Sequence, residues 1–445
     1  MAKFKNIFLN KIFSIGQEQY ALIYEEKRYT YEDLSRIVYE KIQLLSCIKN
    51  IDLIGIIGDY DINSVALFLA CIELNKIIIP FINENEIKNK ISETGCDILF
   101  KDNKYYLQQE TRKRHDLIQK LIDANKPGLI LFSSGSTGKP KAIVHDLTRI
   151  LQNINYSDKK NRTIALFLPD HVAGIDVLLK TLSLNSSLII PNAREPERIL
   201  KLIELFKVNI MPTSPSMLRL LLLGQYDKYD LKSLEVIAYG SERLDDELLY
   251  KLKDIFPNVY FKQNFGTSET FSFQTKNHKE KQGFFRILNA NYKIIDNELF
   301  LKSGMQSLGY LNADNSVFDE DGYFATGDLV EVVNVNDEEF IKIIGRNKEV
   351  INVGGEKVLP QEVEGVIAQI PFVQDCLVYG QNNPLTGQSV CVKVVLENRQ
   401  DIASLELKKE IRMFCKDKLA SYKIPTRVEI VDKLAISERF KKIRK

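Results

Sequence analysis

What the 445-residue sequence lacks narrows its class before any motif is read. Its six cysteines, at 47, 71, 96, 376, 391 and 415, are scattered and form no CxxC pair. That spacing argues against a zinc site and against a disulfide scaffold. Most of them are expected to be small buried hydrophobes. Neither sign of charge is in excess, with Lys+Arg at 61 and Asp+Glu at 59, so nothing global points to nucleic acid or an anionic membrane as partner. The longest apolar runs, such as SVALFLACIEL over 64–74, fall far short of the ~20 residues a membrane span needs. The N-terminus, MAKFKNIFLNKIFSIGQEQY, is broken by lysines and has no small-residue cleavage site, so no signal peptide is expected. A soluble, cytoplasmic protein follows as the expectation.

What is present reads as a globular α/β chain. Hydrophobic residues make up 44% and charged residues 27%, enough for a large core. The length suggests about three units of ~150 residues, or one large domain plus a small one. IDLIGIIGD (51–59) reads as a buried strand, SVALFLACIELNK (64–76) as a helix and IIIPFI (77–82) as another strand. That order implies a mainly parallel sheet. It recurs in IALFL (164–168), the helix IDVLLKTLSL (175–184), SLIIP (187–191), a helix near 197–206, LEVIAYGS (234–241), a helix at 245–255 and VYFKQNFG (259–266). After about residue 290, ELFLKSG, FATGDLVEVVNV and FIKIIG look like short antiparallel strands. The last ~100 residues can form a small α+β domain of their own. The boundary falls near 345–348 without a Pro/Gly/Ser-rich linker, so a tight hinge is expected.

One stretch carries chemistry. LFSSGSTGKPKAIVHD (131–146) packs hydroxyl residues, two glycines and two lysines between two apolar strands, GLILF and AIVH. A Walker loop needs four residues between its glycines, then Lys and Ser or Thr. Here only Ser136 and Thr137 separate Gly135 from Gly138, and Pro140 follows Lys139. Backbone N–H groups, hydroxyls and lysines could surround a polyphosphate. Taken alone, the stretch is equally a plain turn.

The company it keeps is more specific. SSGSTGKPKAIVH resembles the phosphate loop of the adenylate-forming superfamily, which includes acyl- and aryl-CoA ligases, luciferases and peptide-synthetase adenylation domains; Ser136 stands for a Thr and Ala142 for a Gly. In the same order follow HVAG (171–174), similar to HxxG; YGSERL (239–244), similar to the turn against adenine; and QNFGTSET (263–270), similar to QxYGxTE. Then come YFATGDL (323–329), similar to YxTGD; IIGRNKEVINVGGEKVLPQEVE (343–364), similar to the hinge segment; and LASYKIP (419–425), similar to LxxYKxP. The resemblance covers residues ~125–445 firmly and the opening more loosely.

It implies a large N-terminal domain, residues 1–345, of mainly parallel sheets flanked by helices plus a small β-barrel-like part. A small mobile α+β lid would span 346–445, with the hinge at Lys348. It also implies ATP, Mg²⁺ and a carboxylic acid as reactants. Ser133, Ser134, Gly135, Ser136, Thr137, Gly138, Lys139 and Lys141 would hold the phosphates. Gly240, Ser241, Glu242, Asn264, Phe265, Gly266 and Thr267 would frame the adenine, with Phe265 in place of the usual Tyr. Ser268 would touch the α-phosphate, Glu269 would hold the metal with Thr137, and Asp328 would accept the ribose hydroxyls, as two carboxylate oxygens can. Arg346 would reach the ribose or phosphates. Gly354 and Gly355 would allow close backbone approach on closure, or simply turn a hairpin.

A carboxylate nucleophile is already ionised near neutral pH, so no general base is needed. That suits a chain with four histidines and no Ser/His/Asp set. His171, Val172, Gly174, Ser214, Tyr239 and Gly266 are the acyl-pocket candidates, and His171 is either a gate or a plain aromatic liner. LAISERFKKIRK (434–445) departs from the family's PxTxSGKxxRR: Ala435 replaces the Pro and Phe440 the Gly. Counting from either end puts the catalytic lysine at Lys441, with Lys442 next to it as the alternative. The acyl group would pass to a thiol, on coenzyme A or on a carrier protein's phosphopantetheine. DHVAGID lacks the Asp that binds an α-amino group, so a simple acyl or aryl acid is favoured. The chain ends just past the lysine motif, and no appended carrier domain is expected. Its length is at the compact end of the superfamily, as in o-succinylbenzoate–CoA ligases. A non-catalytic binding protein of the same fold and a γ-phosphoryl transferase are the alternatives from other classes; the absent Walker loop argues against the second.

Overall fold

The computed structural model describes residues 4–16, 18–24, 27–82, 87–108, 113–133, 140–397 and 404–435. Two seven-stranded sheets form its frame. In the first, Tyr260–Gln263, Val236–Tyr239, Ile210–Thr213, Arg162–Ile164, Ser187–Ile190 and Tyr20–Tyr24 run parallel, and Lys27–Thr30 closes the edge antiparallel. In the second, Ile98–Lys101, Leu53–Ile57, Ile77–Phe81 and Gly128–Ser133 are parallel. Lys104–Leu107 flanks one side; Lys141–Asp146 and Gly309–Tyr310 flank the other, all antiparallel to their neighbours.

The apolar runs form central strands because both of their faces are covered. Helix Val172–Ser183 and helices Ile7–Ser14, Tyr31–Cys47 and Ile62–Glu73 share one core that takes in Leu22, Leu188 and Ile190 of the first sheet and Ile54, Ile78, Leu129 and Leu131 of the second. Side chains of the first sheet's opposite face, among them Ile189, Met211, Ile237, Tyr239 and Phe261, pack on helices Pro196–Phe206, Pro215–Leu223 and Asp246–Ile255. The period-2 alternation of strands thus sorts each residue onto one layer or the other.

The expected barrel-like part is an open sheet. Thr275–Asn277, Phe285–Ile287, Glu338–Arg346, Phe324–Val335, Glu298–Lys302 and Asn291–Ile295 pair antiparallel in that order. Closure would require the two outer strands to pair. They do not, so this part is corrected to a sheet. IALFL also differs: the strand is Arg162–Ile164, and 165–168 leave it.

Residues 351–430 carry a separate core. Glu356–Val358, Ile351–Val353, Gly387–Leu396 and Val373–Asn383 pair antiparallel, Arg427–Ile430 adds parallel to Gly387–Leu396, and helices Pro360–Ile367 and Ser404–Cys415 cover them. NVGGEKV forms a hairpin there. Gly354 and Gly355 have φ of +60° and +93°, and a Cβ on either would meet nothing within 4 Å. Backbone conformation, not crowding, asks for glycine at this turn. All six cysteines are free thiols, five of them buried and Cys47 exposed, in line with the reading of small hydrophobes. Among the described residues no helix is long and apolar enough to cross a membrane.

Candidate active site

Ser133 and Lys141 face each other at the open end of the antiparallel pair Gly128–Ser133 and Lys141–Asp146. Ser134, Gly135, Ser136, Thr137, Gly138 and Lys139, between them, lie outside the described residues. From the loop's far side Lys141 places its ammonium 4.4 Å from the centre of the Tyr310 ring, a cation–π arrangement. The Tyr310 hydroxyl donates to Glu269 Oε1 at 2.8 Å. Tyr310 is buried, and burial with the adjoining Glu269 charge pushes its pKa up, so the phenol stays a donor. The hairpin and the QNFGTSET segment, far apart in sequence, therefore meet at one tyrosine. Asn312 adds a second tie: it accepts from Ala142 N at 2.8 Å and donates to the Pro140 carbonyl at 2.9 Å.

Glu269 sits in a tight turn. Thr267 Oγ1 accepts from the backbone N–H of Glu269 and Thr270, at 3.2 and 3.1 Å. The Thr267 hydroxyl thus shapes the turn that presents Ser268 and Glu269. Phe271, fully buried, follows at φ +64°, an outlier for a bulky residue and the kind of strain that clusters at working sites. Beneath the turn lies His145, also fully buried, its ring edge-on to Phe271 at 5.6 Å. Neither ring nitrogen makes a hydrogen bond of normal geometry. Burial lowers its pKa to about 4, against a weaker opposing pull from the Ser268 carbonyl.

The turn matched to the adenine site is fixed from behind. Asn264 N donates to Tyr239 O at 2.7 Å, and a Cβ on Gly240 would press on the Asn264 carbonyl. Ser241 has φ +69°. Glu242 is engaged by Ser216, whose N and Oγ lie 3.2 and 2.6 Å from Oε2, at the start of helix Pro215–Leu223. Phe265 stacks on Phe273 with ring centres 6.1 Å apart. On the neighbouring strands Asp328 and Arg346 are direct cross-strand partners, joined Nε to Oδ1 at 2.9 Å. Asp328 is 4% exposed. Burial raises its pKa, and Arg346 pulls the other way. Lys348 is exposed in the 3₁₀ turn Asn347–Glu349, between the strand ending at Arg346 and the C-terminal core.

On the acyl side, His171 caps helix Val172–Ser183: its Nδ1 accepts from Ala173 N at 3.1 Å. In the neutral ring the proton is then on Nε2. The ring stacks on Phe167. Gly174 is enforced by packing, because a Cβ would run into the Leu168 carbonyl and the Tyr60 hydroxyl. A Cβ on Gly266 would run into the Phe271 carbonyl. Val172 joins the core, and Ser214 Oγ accepts from Met217 N at 3.2 Å as a helix cap. Tyr239 is corrected as a pocket candidate: its side chain belongs to the core on the opposite face of the sheet, while Ala238 beside it faces helix Val172–Ser183. Tyr310, Asn312 and His145 were not singled out by the sequence reading; no local pattern marks the first two, and His145 ends the SSGSTGKPKAIVH stretch without being assigned a part in it. Lys441 and Lys442 lie outside the described residues. No cluster of three or more His, Cys, Asp or Glu that could hold a metal ion exists among the described residues, and Glu269 is near enough to Asp328 and Arg346 to act on both electrostatically.

Comparison with known proteins gives a consistent picture. The sequence model for AMP-binding enzymes matches residues 16–304, and that for the AMP-binding enzyme C-terminal domain matches 362–441. The chain is 25% identical to a 2-succinylbenzoate–CoA ligase of Listeria monocytogenes over 96% of its own length and 95% of the relative's. It is 27% identical to a 4-coumarate–CoA ligase of Narcissus pseudonarcissus over 63% and 57%. The fold matches o-succinylbenzoate CoA synthetase from Bacillus subtilis, solved with its acyl-adenylate intermediate, at TM-score 0.79 and 20% identity, covering 98% of this chain and 96% of that one. It matches an anthranilate CoA ligase with anthranoyl-AMP at TM-score 0.79 and 20% identity, covering 99% and 96%.

Proposed function

The chain belongs to the AMP-binding enzyme family, and from that premise we propose that it activates a carboxylic acid with ATP. The products are an acyl-adenylate and pyrophosphate, and the acyl group then passes to the thiol of coenzyme A. The observation that carries this reading is the meeting of Lys141, Tyr310 and Glu269, which sets the phosphate-loop hairpin against an oriented carboxylate.

The acid's own carboxylate is the nucleophile and needs no base. The difficulty is bringing an anion to an anionic nucleotide, so the protein's contribution is positioning and charge. Lys141 would serve the phosphates, together with the loop residues that the motif match assigns to them. Glu269 fits magnesium, a hard cation that takes carboxylate oxygens, because Tyr310 occupies one of its oxygens and the other remains for the ion. The metal would supply neutralisation of phosphate charge. Asp328 is the ribose acceptor, oriented by Arg346. Residues from 346 onward act as a lid that pivots at Lys348 and carries Lys441 to the reacting carboxylate, as a compact ammonium can. The CoA-ligase names of its relatives favour coenzyme A over a carrier protein or an amine, and a cytoplasmic location belongs to the same reading.

The test is isotope exchange between pyrophosphate and ATP across a panel of acids, followed by addition of CoA. Acid-dependent exchange and a CoA thioester are expected; ATP binding without exchange would favour the non-catalytic alternative. Lys441→Ala should abolish exchange while sparing thioester formation from supplied acyl-adenylate, and that behaviour in Lys442→Ala instead would move the lysine by one position.

A further inference from the structure

Beside the acyl side, Lys262 is a cation that makes no ion pair among the described residues. Lys262, on strand Tyr260–Gln263, pairs in register with Ala238, and Ala238 with Pro212. Their neighbours Phe261 and Tyr239 point to the helices on the far face, so Lys262 points to helix Val172–Ser183. It is half-buried and, among the described residues, has no hydrogen-bond or ion-pair partner. Asp176, on that helix, is the carboxylate it senses, and Lys180 is a competing cation. Lys180 already holds Asp176 at 2.8 Å and also donates to Ser272 Oγ at 2.8 Å. Ser272 in turn pairs cross-strand with Gly266. Two ammonium groups thus share one carboxylate, leaving about one positive charge uncompensated against the wall formed by helix Val172–Ser183 and the Phe265–Thr267 hairpin. Burial and the like charge of Lys180 lower the Lys262 pKa, the signature of a cation short of a partner.

Resting on the acid-activation reading, we infer that Lys262 receives a second anionic group of the acid substrate, distal to the carboxylate that reacts. Strand geometry sets the depth: Lys262 lies two residues, about 7 Å, before Asn264. The reacting carboxylate belongs beyond Asn264, toward Ser268 and Glu269, so the anionic group would sit at the opposite end of a substrate lying along the helix. Lys180 has a supporting part: by holding Asp176 it keeps that carboxylate from neutralising Lys262.

The experiment compares matched acids in pyrophosphate exchange: 2-succinylbenzoate with 4-oxo-4-phenylbutanoate, which lacks only the ring carboxylate, and terephthalate with 4-methylbenzoate. The wild type should prefer the dianionic member of at least one pair. Lys262→Gln should lose about 10- to 100-fold more kcat/KM on that member than on its monoanionic match, the range for a hydrogen bond to a charged group. Lys262→Arg should keep the preference, and Lys180→Met, by releasing Asp176, should weaken it. Equal losses on both members in Lys262→Gln, or wild-type preference for the monoanion in both pairs, overturns the inference and leaves acid activation standing. An effect confined to the KM for CoA also overturns it, assigning the cation to a phosphate of that substrate. No exchange with any acid would overturn the functional reading and the inference together.

Discussion

Glu269 and Asp328 lie in two regions that restrain a carboxylate by opposite means. In the turn after Thr267, Glu269 is held by a phenol, a neutral donor that orients the group and leaves its charge intact. On the paired strands, Asp328 is held by the Arg346 guanidinium, which orients the group and opposes its charge. The first arrangement keeps a negative centre available to a cation. The second keeps geometry, with Arg346 offsetting part of the cost of burying the charge in a place that is 4% exposed. On the proposed reading, these two motif carboxylates serve different partners, a metal and a pair of hydroxyls.

The largest expected effect separates the two by removing charge alone. Glu269→Gln keeps an oxygen for Tyr310 and should cut kcat for adenylation by about 100- to 1000-fold, the scale for losing one preorganised electrostatic contact. Asp328→Asn should act mainly on the KM for ATP, by about 10- to 100-fold. If steady-state kinetics with ATP and acid give both variants the same kcat and KM pattern, the distinction falls.

The next effect concerns what lies under the Glu269 turn. His145 is neutral when folded, with a pKa of about 4 against an unfolded value near 6.5. The shift is downward, so its stabilising contribution is present above pH 6.5 and is lost as pH falls toward 4. At full development the loss is up to about 3 kcal/mol. The melting temperature should therefore fall as pH drops across that window in the wild type, while His145→Leu should lack that part of the slope; parallel pH profiles would contradict it. The smallest effect is Tyr310→Phe. Loss of one hydrogen bond to a charged acceptor should lower kcat by roughly 10-fold, with the Lys141 contact to the ring retained and little change in melting temperature. A fall as deep as that of Glu269→Gln would mean that the phenol does more than orient.

Much of the fold was legible because central parallel strands bury both faces. Leu53–Ile57 and Ile77–Phe81 read as unbroken apolar runs around the helix Ile62–Glu73. The motifs around Glu269 and Asp328 were legible too, since each is local. Their holders differ. Arg346 stood in a motif of its own, but its pairing to Asp328 depends on strand register, and Tyr310 reaches Glu269 only through a sheet edge that joins Gly309–Tyr310 to Lys141–Asp146. Tyr239 illustrates the remaining difficulty. One step along a strand exchanges pocket for core, and the sequence does not say which face of the first sheet meets helix Val172–Ser183. The open antiparallel sheet was misjudged for a similar reason: closure depends on whether two short end strands meet, which is a property of three-dimensional twist and not of either strand's composition.

The central claim is that chemistry occurs at the α-phosphate of ATP. Product analysis of a single turnover, with the acid that gives the strongest exchange, tests it most directly. AMP and pyrophosphate in equal amounts, with the acyl group recovered on CoA when CoA is added, is the predicted result; ADP and inorganic phosphate would contradict it.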